Sequence, residues 1–153
     1  MLYELHPLFV HFPIALSIIL PFFIASLLIT TKNNNITNSI WTPVVIIAIF
    51  ILISTIGTLI TGSNGAEILK KSTISTALEK HEEIAEITAM LLFVTSLLSL
   101  VVLIFSPEKK RSLIKIILYL SLLQALLVFK SGKTGGELVH ESDAPSIFKN
   151  MKQ

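Results

Sequence analysis

The sequence predicts an all-α integral membrane protein: an antiparallel four-transmembrane-helix bundle with a short interfacial helix between spans 2 and 3. Three observations lead to this fold class. Only 14% of the 153 residues are charged, 52% are hydrophobic and the mean hydropathy is +0.78, whereas a soluble domain carries about 25% charged residues. The apolar residues form four long segments, and the connectors between them are short and polar. We therefore expect one membrane domain over residues 1–153.

Each apolar segment is long enough to cross a bilayer as a helix. A helix rises about 1.5 Å per residue, so roughly 20 residues cross a hydrocarbon layer of about 30 Å. The predicted spans cover residues of about 8–31, 42–62, 84–105 and 113–130. Residues 131–153 follow as a Gly-containing tail.

The first span opens on an unusual motif, His6-Pro7-Leu8-Phe9-Val10-His11-Phe12-Pro13-Ile14-Ala15-Leu16. It holds two of the four histidines and two of the six prolines in the chain. Pro7 suits a first helical position, which places His6 near the cap and His11 one turn inside, facing the bundle. Pro13 removes a backbone donor, so we expect it to kink this turn and widen a pocket.

The connector between the second and third spans contains two helix-start signals. Asn64 is followed by Glu67, and Thr76 by Glu79, each with the spacing of a capping box. We therefore predict a short interfacial helix near residues 65–74. A new helix then starts at about residue 77 and continues into the third span, with His81 near its entrance.

The second and fourth spans carry side chains suited to helix packing. In the second span, small or weakly polar residues recur at three- and four-residue spacing and allow a close approach: Ser54, Gly57, Thr58, Thr61 and Gly62. In the fourth span, Gln124 must face protein to satisfy its amide, and we expect an interhelical hydrogen bond there.

The tail begins with a glycine-rich stretch. Three glycines within five residues, Gly132, Gly135 and Gly136, are expected to break the helix and let the backbone approach another group closely. His140 follows this stretch.

The histidines are expected to meet at one membrane face. Four spans with short connectors alternate direction, so both termini and the second connector share a face. All four histidines, His6, His11, His81 and His140, then lie there, among carboxylates of the kind that orient a ligating imidazole. His6 and His11 are five residues apart and project about 140° from each other on a helix. We rank His11 and His81 as the inward pair, with His6 and His140 as rim or second ligands.

The composition and the motifs disfavour several classes of function. The chain has no cysteine, which removes disulfides, iron–sulfur clusters and covalently attached haem. A formal charge of +2 with a pI of about 8.9 is too weak and scattered to indicate nucleic acid. No nucleophile elbow, P-loop or dinucleotide fingerprint is present. We expect neither a hydrolase nor a transferase.

Three of these features together resemble a known family. They are the opening His6–Leu16 motif, a histidine at the head of the third span, and Gly135-Gly136-Glu137-Leu138-Val139-His140. The chain is similar over nearly its whole length to the bacterial membrane family of domain of unknown function 2231. The resemblance implies a four-span bundle and an involvement in membrane electron transfer, without an established reaction. In that family the last element often ends in Leu-Val-Tyr, so His140 is a departure.

The leading hypothesis for the histidines is a site for haem b. Histidines on facing helices can ligate haem iron from both sides without cysteine, and Lys70, Lys71, Lys130 or Lys133 could meet the propionates at the interface. All four histidines are candidate ligands. The chain would pass electrons between a quinone or a redox partner protein and an acceptor, and a homo-oligomer is compatible with this role.

Two other hypotheses stay open at this point. The histidines could bind Zn or Cu with a Glu or Asp, although no His-x-x-x-His pair prepares such a site. Alternatively, the chain is a cofactor-free interaction or assembly subunit whose histidines and glutamates hydrogen-bond helix ends together. A transporter is disfavoured, because no span has a charged residue at mid-depth.

The orientation follows from the basic residues near the first span. No Lys or Arg precedes this span and Lys32 follows it, which favours both termini outside. We therefore expect a protein of the bacterial cytoplasmic (inner) membrane whose histidine face is exposed outside.

Overall fold

The computed structural model describes residues 2–31, 36–70 and 75–140. Four long helices fill these ranges: α1 (His6–Thr30), α2 (Asn38–Lys70), α3 (Ser75–Val101) and α4 (Pro107–His140). A 3-10 turn, Leu2–Leu5, leads into α1, and another, Val102–Ile104, follows α3. All four helices are long and apolar enough to cross a membrane. The predicted four-span all-α architecture is confirmed.

The helices form a ring in chain order. Each packs against the next, and α4 packs against α1, so α1 and α3 stand opposite each other across the bundle. The interior holds large apolar side chains such as Leu20, Trp41 and Ile117, all fully buried. Large apolar side chains also cover the outside, and Phe22 on α1 is 72% exposed. Such a surface suits lipid and would be unfavourable in water.

The predicted interfacial helix is wrong, because residues 65–70 continue α2 without a break. The residues that suggested a new start act differently. The Asn64 side chain donates to the Ile60 carbonyl at 2.7 Å, so it bonds back to its own helix and caps nothing. Ala66 and Leu69 are buried against Leu78 and Leu138, and this packing stabilises the extended end of α2. Residues 71–74 lie outside the described residues.

The expected helix break in the tail is also wrong, because α4 runs through its three glycines to His140. A glycine within a helix costs about 1 kcal/mol relative to alanine. Burial of Thr134 and Leu138 against the rest of the bundle offsets that cost. The remainder of the predicted tail, residues 141–153, lies outside the described residues.

The end of the bundle that carries the first and third connectors, here called the connector end, is closed by side-chain hydrogen bonds. Arg111 donates through Nη1 to the Thr31 carbonyl at 2.9 Å and through Nη2 to the Leu28 carbonyl at 3.2 Å. Lys110, only 4% exposed, donates to Oδ1 of Asn38. These cations satisfy acceptors at the end of α1 and the start of α2, including carbonyls that lack helical donors.

We expect Arg111→Gln to lower the free energy of unfolding by about 2 kcal/mol, because two charge-assisted hydrogen bonds to the end of α1 are lost. Thermal unfolding of the purified protein in detergent micelles measures the change. Lys115→Gln is the matched control, since it removes a charge from an exposed position one turn away. Equal effects of the two variants would contradict the capping role of Arg111.

Candidate functional site

Two histidines lie partly inside the bundle at the end opposite the connector end. This end is here called the histidine end. His6 is the first residue of α1, and its Nδ1 lies 3.0 Å from Oγ1 of Thr61 on α2. His81 lies near the start of α3, and its Nδ1 lies 3.0 Å from Oγ1 of Thr134 on α4. Both imidazoles are half-buried. Each histidine thus links its own helix to the next helix in the chain.

The threonines favour one tautomer of each imidazole. Thr61 Oγ1 lies 2.8 Å from the Gly57 carbonyl, and Thr134 Oγ1 lies 3.0 Å from the Ser131 carbonyl. A hydroxyl has a single hydrogen, and a carbonyl can only accept. Each threonine that donates to its carbonyl therefore accepts from Nδ1–H of the histidine. Nε2 of both imidazoles is left with a lone pair.

Two glycines make room for these rings. A Cβ atom built on Gly62 would lie 3.1 Å from Cε1 of His6, and one built on Gly135 would lie 3.1 Å from Cε1 of His81. Each imidazole therefore packs directly against helix backbone. The glycines allow a close approach, and neither of them ends its helix.

His6 and His81 lie at the same end of the bundle. They come from α1 and α3, the helices that face each other across the bundle. We call these two residues the histidine pair.

The two halves of the pair are related by an internal repeat. His81 follows His6 by 75 positions, and this offset also relates the buried faces of α1 and α3. Five buried positions of α1 each match a buried position of α3: Pro13 with Thr88, Ser17 with Leu92, Leu20 with Thr95, Pro21 with Ser96, and Ile24 with Ser99.

The same relation holds for α2 and α4, with an offset of 73 positions from Thr61 to Thr134. Six buried positions correspond: Trp41 with Ile114, Val44 with Ile117, Ala48 with Ser121, Ile51 with Gln124, Thr55 with Val128, and Thr61 with Thr134. The bundle is thus two αα-hairpins, α1–α2 and α3–α4, in an approximate two-fold arrangement. Each hairpin contributes one histidine and one threonine.

The expectation that His11 forms the inward pair with His81 is wrong. His11 is exposed, and its Nδ1 bonds to the Pro7 carbonyl in its own helix. The buried face of α1 includes Pro13 and Ser17, which continue from His6 at helical spacing. The five-residue spacing directs His11 to a different side of the helix, so His6 takes the inward position.

His140 is the last residue of α4, and its side chain lies outside the described part of the structure. Its part as a rim ligand stays a prediction. Within that described part, no group of three or more His, Cys, Asp or Glu side chains is arranged to hold a metal ion.

Ion pairs surround the histidine end. Lys80 lies 3.2 Å from Glu137, Lys133 lies 3.8 Å from the same carboxylate, and Lys70 lies 3.0 Å from Glu82. All three lysines are well exposed, so the pairs contribute little to stability. They place three lysines at the histidine end, and two of these, Lys70 and Lys133, are predicted propionate partners.

A family model described as predicted membrane protein, DUF2231, matches residues 3–144. The chain belongs to the DUF2231 family. No curated protein and no solved structure matches it. The family match includes both histidines of the pair and both threonines that bond to them, so the candidate site lies within the DUF2231 region.

Sequence reasoning did not connect Thr61, Gly62, Thr134 or Gly135 with the histidines of this DUF2231 protein. It assigned Thr61 and Gly62 to helix packing and expected a close backbone approach at Gly135. A signal was present, because the dipeptide Thr-Gly occurs twice in the chain. The threonine of the first dipeptide follows His6 by 55 positions, and the threonine of the second follows His81 by 53 positions. Two similar His-to-Thr-Gly separations in one chain indicate a duplicated hairpin.

We expect Gly135→Ala to lower the free energy of unfolding by about 1 kcal/mol, because the new Cβ would press on His81, which Thr134 holds in place. Gly136→Ala is the matched control. A Cβ at Gly136 has nothing within 4 Å, so this change should raise the stability by up to about 1 kcal/mol. Thermal unfolding in micelles measures both, and a stabilising Gly135→Ala would contradict the close fit of His81.

Proposed function

We propose that this DUF2231 protein binds haem b at its histidine end, with His6 and His81 as the two axial ligands, and carries single electrons in the membrane. The observation that carries the proposal is the histidine pair: two imidazoles from facing helices, each with Nδ1 bonded to a threonine. Haem iron already has four porphyrin nitrogens and needs two axial ligands from the protein. A pair without a third ligand meets that need.

The orientation of the imidazoles supports the proposal. Ligation requires a neutral imidazole with a free lone pair, and a hydrogen bond from the other ring nitrogen fixes the ring and raises its basicity. Thr61 and Thr134 supply that bond. Both rings then offer Nε2 as the ligand atom.

The surroundings also suit haem b. The chain has no cysteine, so the group would be held without covalent attachment. Lys70, Lys80 and Lys133 are exposed near the pair and now bind carboxylates, the same chemical group as a haem propionate. These lysines could hold the propionates at the membrane interface.

Two protein ligands also restrict the chemistry. When both axial positions are filled by imidazole, no position stays open for a substrate, which favours electron transfer over oxygen chemistry. A quinone or a redox partner protein would exchange the electrons. We place the protein in a bacterial inner membrane with the histidine end and both termini outside, as the basic residues favour.

A cofactor-free assembly role is the second candidate, because one observation favours it. The His6–Thr61 and His81–Thr134 hydrogen bonds each join two consecutive helices. Such bonds would hold the helix ends together without any ligand. A Zn or Cu site, in contrast, would need at least one further ligand, a Glu, an Asp or His140, beside the histidine pair.

The proposal is tested by the optical spectrum of the purified protein, oxidised and reduced, before and after haem addition. We expect the spectrum of a six-coordinate low-spin haem in the wild type. His6→Ala and His81→Ala should each lose that spectrum. His11→Ala is the matched control and should keep it, because His11 is exposed and bonds only within its helix in the structure.

The other results separate the alternatives. A wild-type protein without a haem spectrum after haem addition would refute the proposal. Stoichiometric zinc or copper by metal analysis would favour a non-haem site. If neither is present, and His6→Ala and His81→Ala lower only the melting temperature, the assembly role is favoured.

We expect Thr61→Val and Thr134→Val each to weaken haem binding by about 10- to 100-fold, which is typical when the partner of a ligating histidine is lost. Valine keeps the size of threonine and removes only the hydroxyl. Haem titration in micelles measures the dissociation constant, with Thr42→Val at an exposed position of α2 as the control. An unchanged constant in both variants would show that the threonines do not orient axial ligands.

A further inference from the structure

Gln124 is a buried amide that the site above does not use. It lies on α4 and is fully buried, yet neither Nε2 nor Oε1 has a hydrogen-bond partner among the described residues. The interhelical bond expected for this residue is therefore not made there. Ser96 on α3 is also buried and its Oγ has no partner within the same ranges.

A free backbone acceptor lies at the same depth. Pro21 has no N–H, so the Ser17 carbonyl lacks the donor that a helix normally supplies. Ser17 and Pro21 are both buried on α1. Arg111 on α4 bonds to Leu28 and Thr31 on α1, and counting along the two antiparallel helices from that contact places Ser17 level with Gln124.

Unpaired polar groups are unfavourable inside a membrane bundle. Removing an amide from water costs free energy when neither its donor nor its acceptor is satisfied. A water molecule can bond to several such groups at once, and buried water commonly fills this role. Gln124 and the Ser17 carbonyl together offer both donors and acceptors, whereas Ser96 lies nearer the connector end.

The packing is different on the two sides of Gln124. Towards the connector end, the interior is filled by large, fully buried apolar side chains, including Leu20, Ile24, Trp41 and Ile117. The Trp41 indole also donates to the Ser99 carbonyl at 2.8 Å, which closes that side.

Hydroxyls are buried on both sides of Gln124, but the large, fully buried apolar side chains lie mainly towards the connector end, and four of the hydroxyls lie on the histidine side. They are Thr55, Thr61, Thr88 and Thr134. These side chains lie between Gln124 and the histidine pair, or beside the pair itself. A hydroxyl can exchange its bond to a helix carbonyl for a bond to water.

We propose that Gln124 is the inner end of a water-filled half-channel that opens at the histidine end and is closed at the connector end. Water bonds to the Gln124 amide and to the Ser17 carbonyl. The half-channel depends on the α1, α3 and α4 interior, and its mouth adjoins the histidine pair.

The absence of cysteine makes a direct test available, because a single introduced thiol is the only thiol in the full chain. Gln124→Cys is exposed to a small, membrane-impermeant, water-soluble thiosulfonate in proteoliposomes. Ile51→Cys is the matched control, since Ile51 occupies the position equivalent to Gln124 in the other hairpin and is also fully buried.

Two surface variants report which side the reagent reaches. Glu79→Cys marks the histidine end, and Lys109→Cys marks the connector end; both positions are exposed. We expect Gln124→Cys to react at least 10-fold faster than Ile51→Cys, and only from the side on which Glu79→Cys reacts. Equal rates for Gln124→Cys and Ile51→Cys, or reaction from the Lys109→Cys side, would overturn the proposal.

A second variant keeps the proposal testable if the cysteine disturbs folding. Gln124→Leu would displace the water and leave the Ser17 carbonyl bare, so we expect a lower melting temperature than for the wild type. A higher melting temperature would mean that the amide is unsatisfied in the native protein, and it would refute the water site. Ile51→Leu at the equivalent position is the control for a change in packing alone.

Discussion

Every polar group within the membrane-spanning part of this chain has to find its partner inside the protein, because hydrocarbon offers none. The helices meet this constraint mainly by bonding serine and threonine hydroxyls to carbonyls one turn earlier, as Thr55 does to Ile51 and Ser99 does to Thr95. At the helix ends the carbonyls lack helical donors, and Arg111 supplies two. The histidine pair answers the same constraint at the other end, where threonine oxygens accept from the imidazoles.

The internal repeat provides the same polar contact in both hairpins. In each hairpin a histidine near the start of the first helix bonds to a threonine near the end of the second, and the following glycine allows the ring to approach. The two hairpins have the same residue types at these positions and different residue types at most other equivalent positions. Pro21 corresponds to Ser96, and Ile51 corresponds to Gln124. Pro21 leaves the Ser17 carbonyl unpaired in the first hairpin, whereas Ser96 and Gln124 are unpaired among the described residues in the second, so only one hairpin presents an amide side chain to the interior.

The sequence predicted the four-span architecture because apolar length and polar connectors are local properties, readable one segment at a time. It also placed His6 and His81 on one membrane face, which follows from counting spans. The inward rank of His11 failed, because the rotation of α1 depends on its contacts with α2 and α4. The glycines at 132–136 and the capping signal at Asn64 were misread for a related reason. Local propensity predicted helix ends there, whereas burial of Leu69 and Leu138 in one apolar cluster with Leu78 keeps both helices intact.

The two-fold arrangement has a consequence for any ligand that uses both histidines. His6 and His81 belong to different hairpins, so neither hairpin alone holds a complete site. A ligand that bonds to both imidazoles binds only the assembled bundle, and its binding free energy adds to the association of α1–α2 with α3–α4. The histidine end holds few large apolar contacts between the hairpins beyond the cluster around Leu69 and Leu138, whereas the connector end is densely packed and hydrogen-bonded. Ligand binding would therefore stabilise the end of the bundle at which packing contributes least, and the site and the fold would depend on each other at the histidine end.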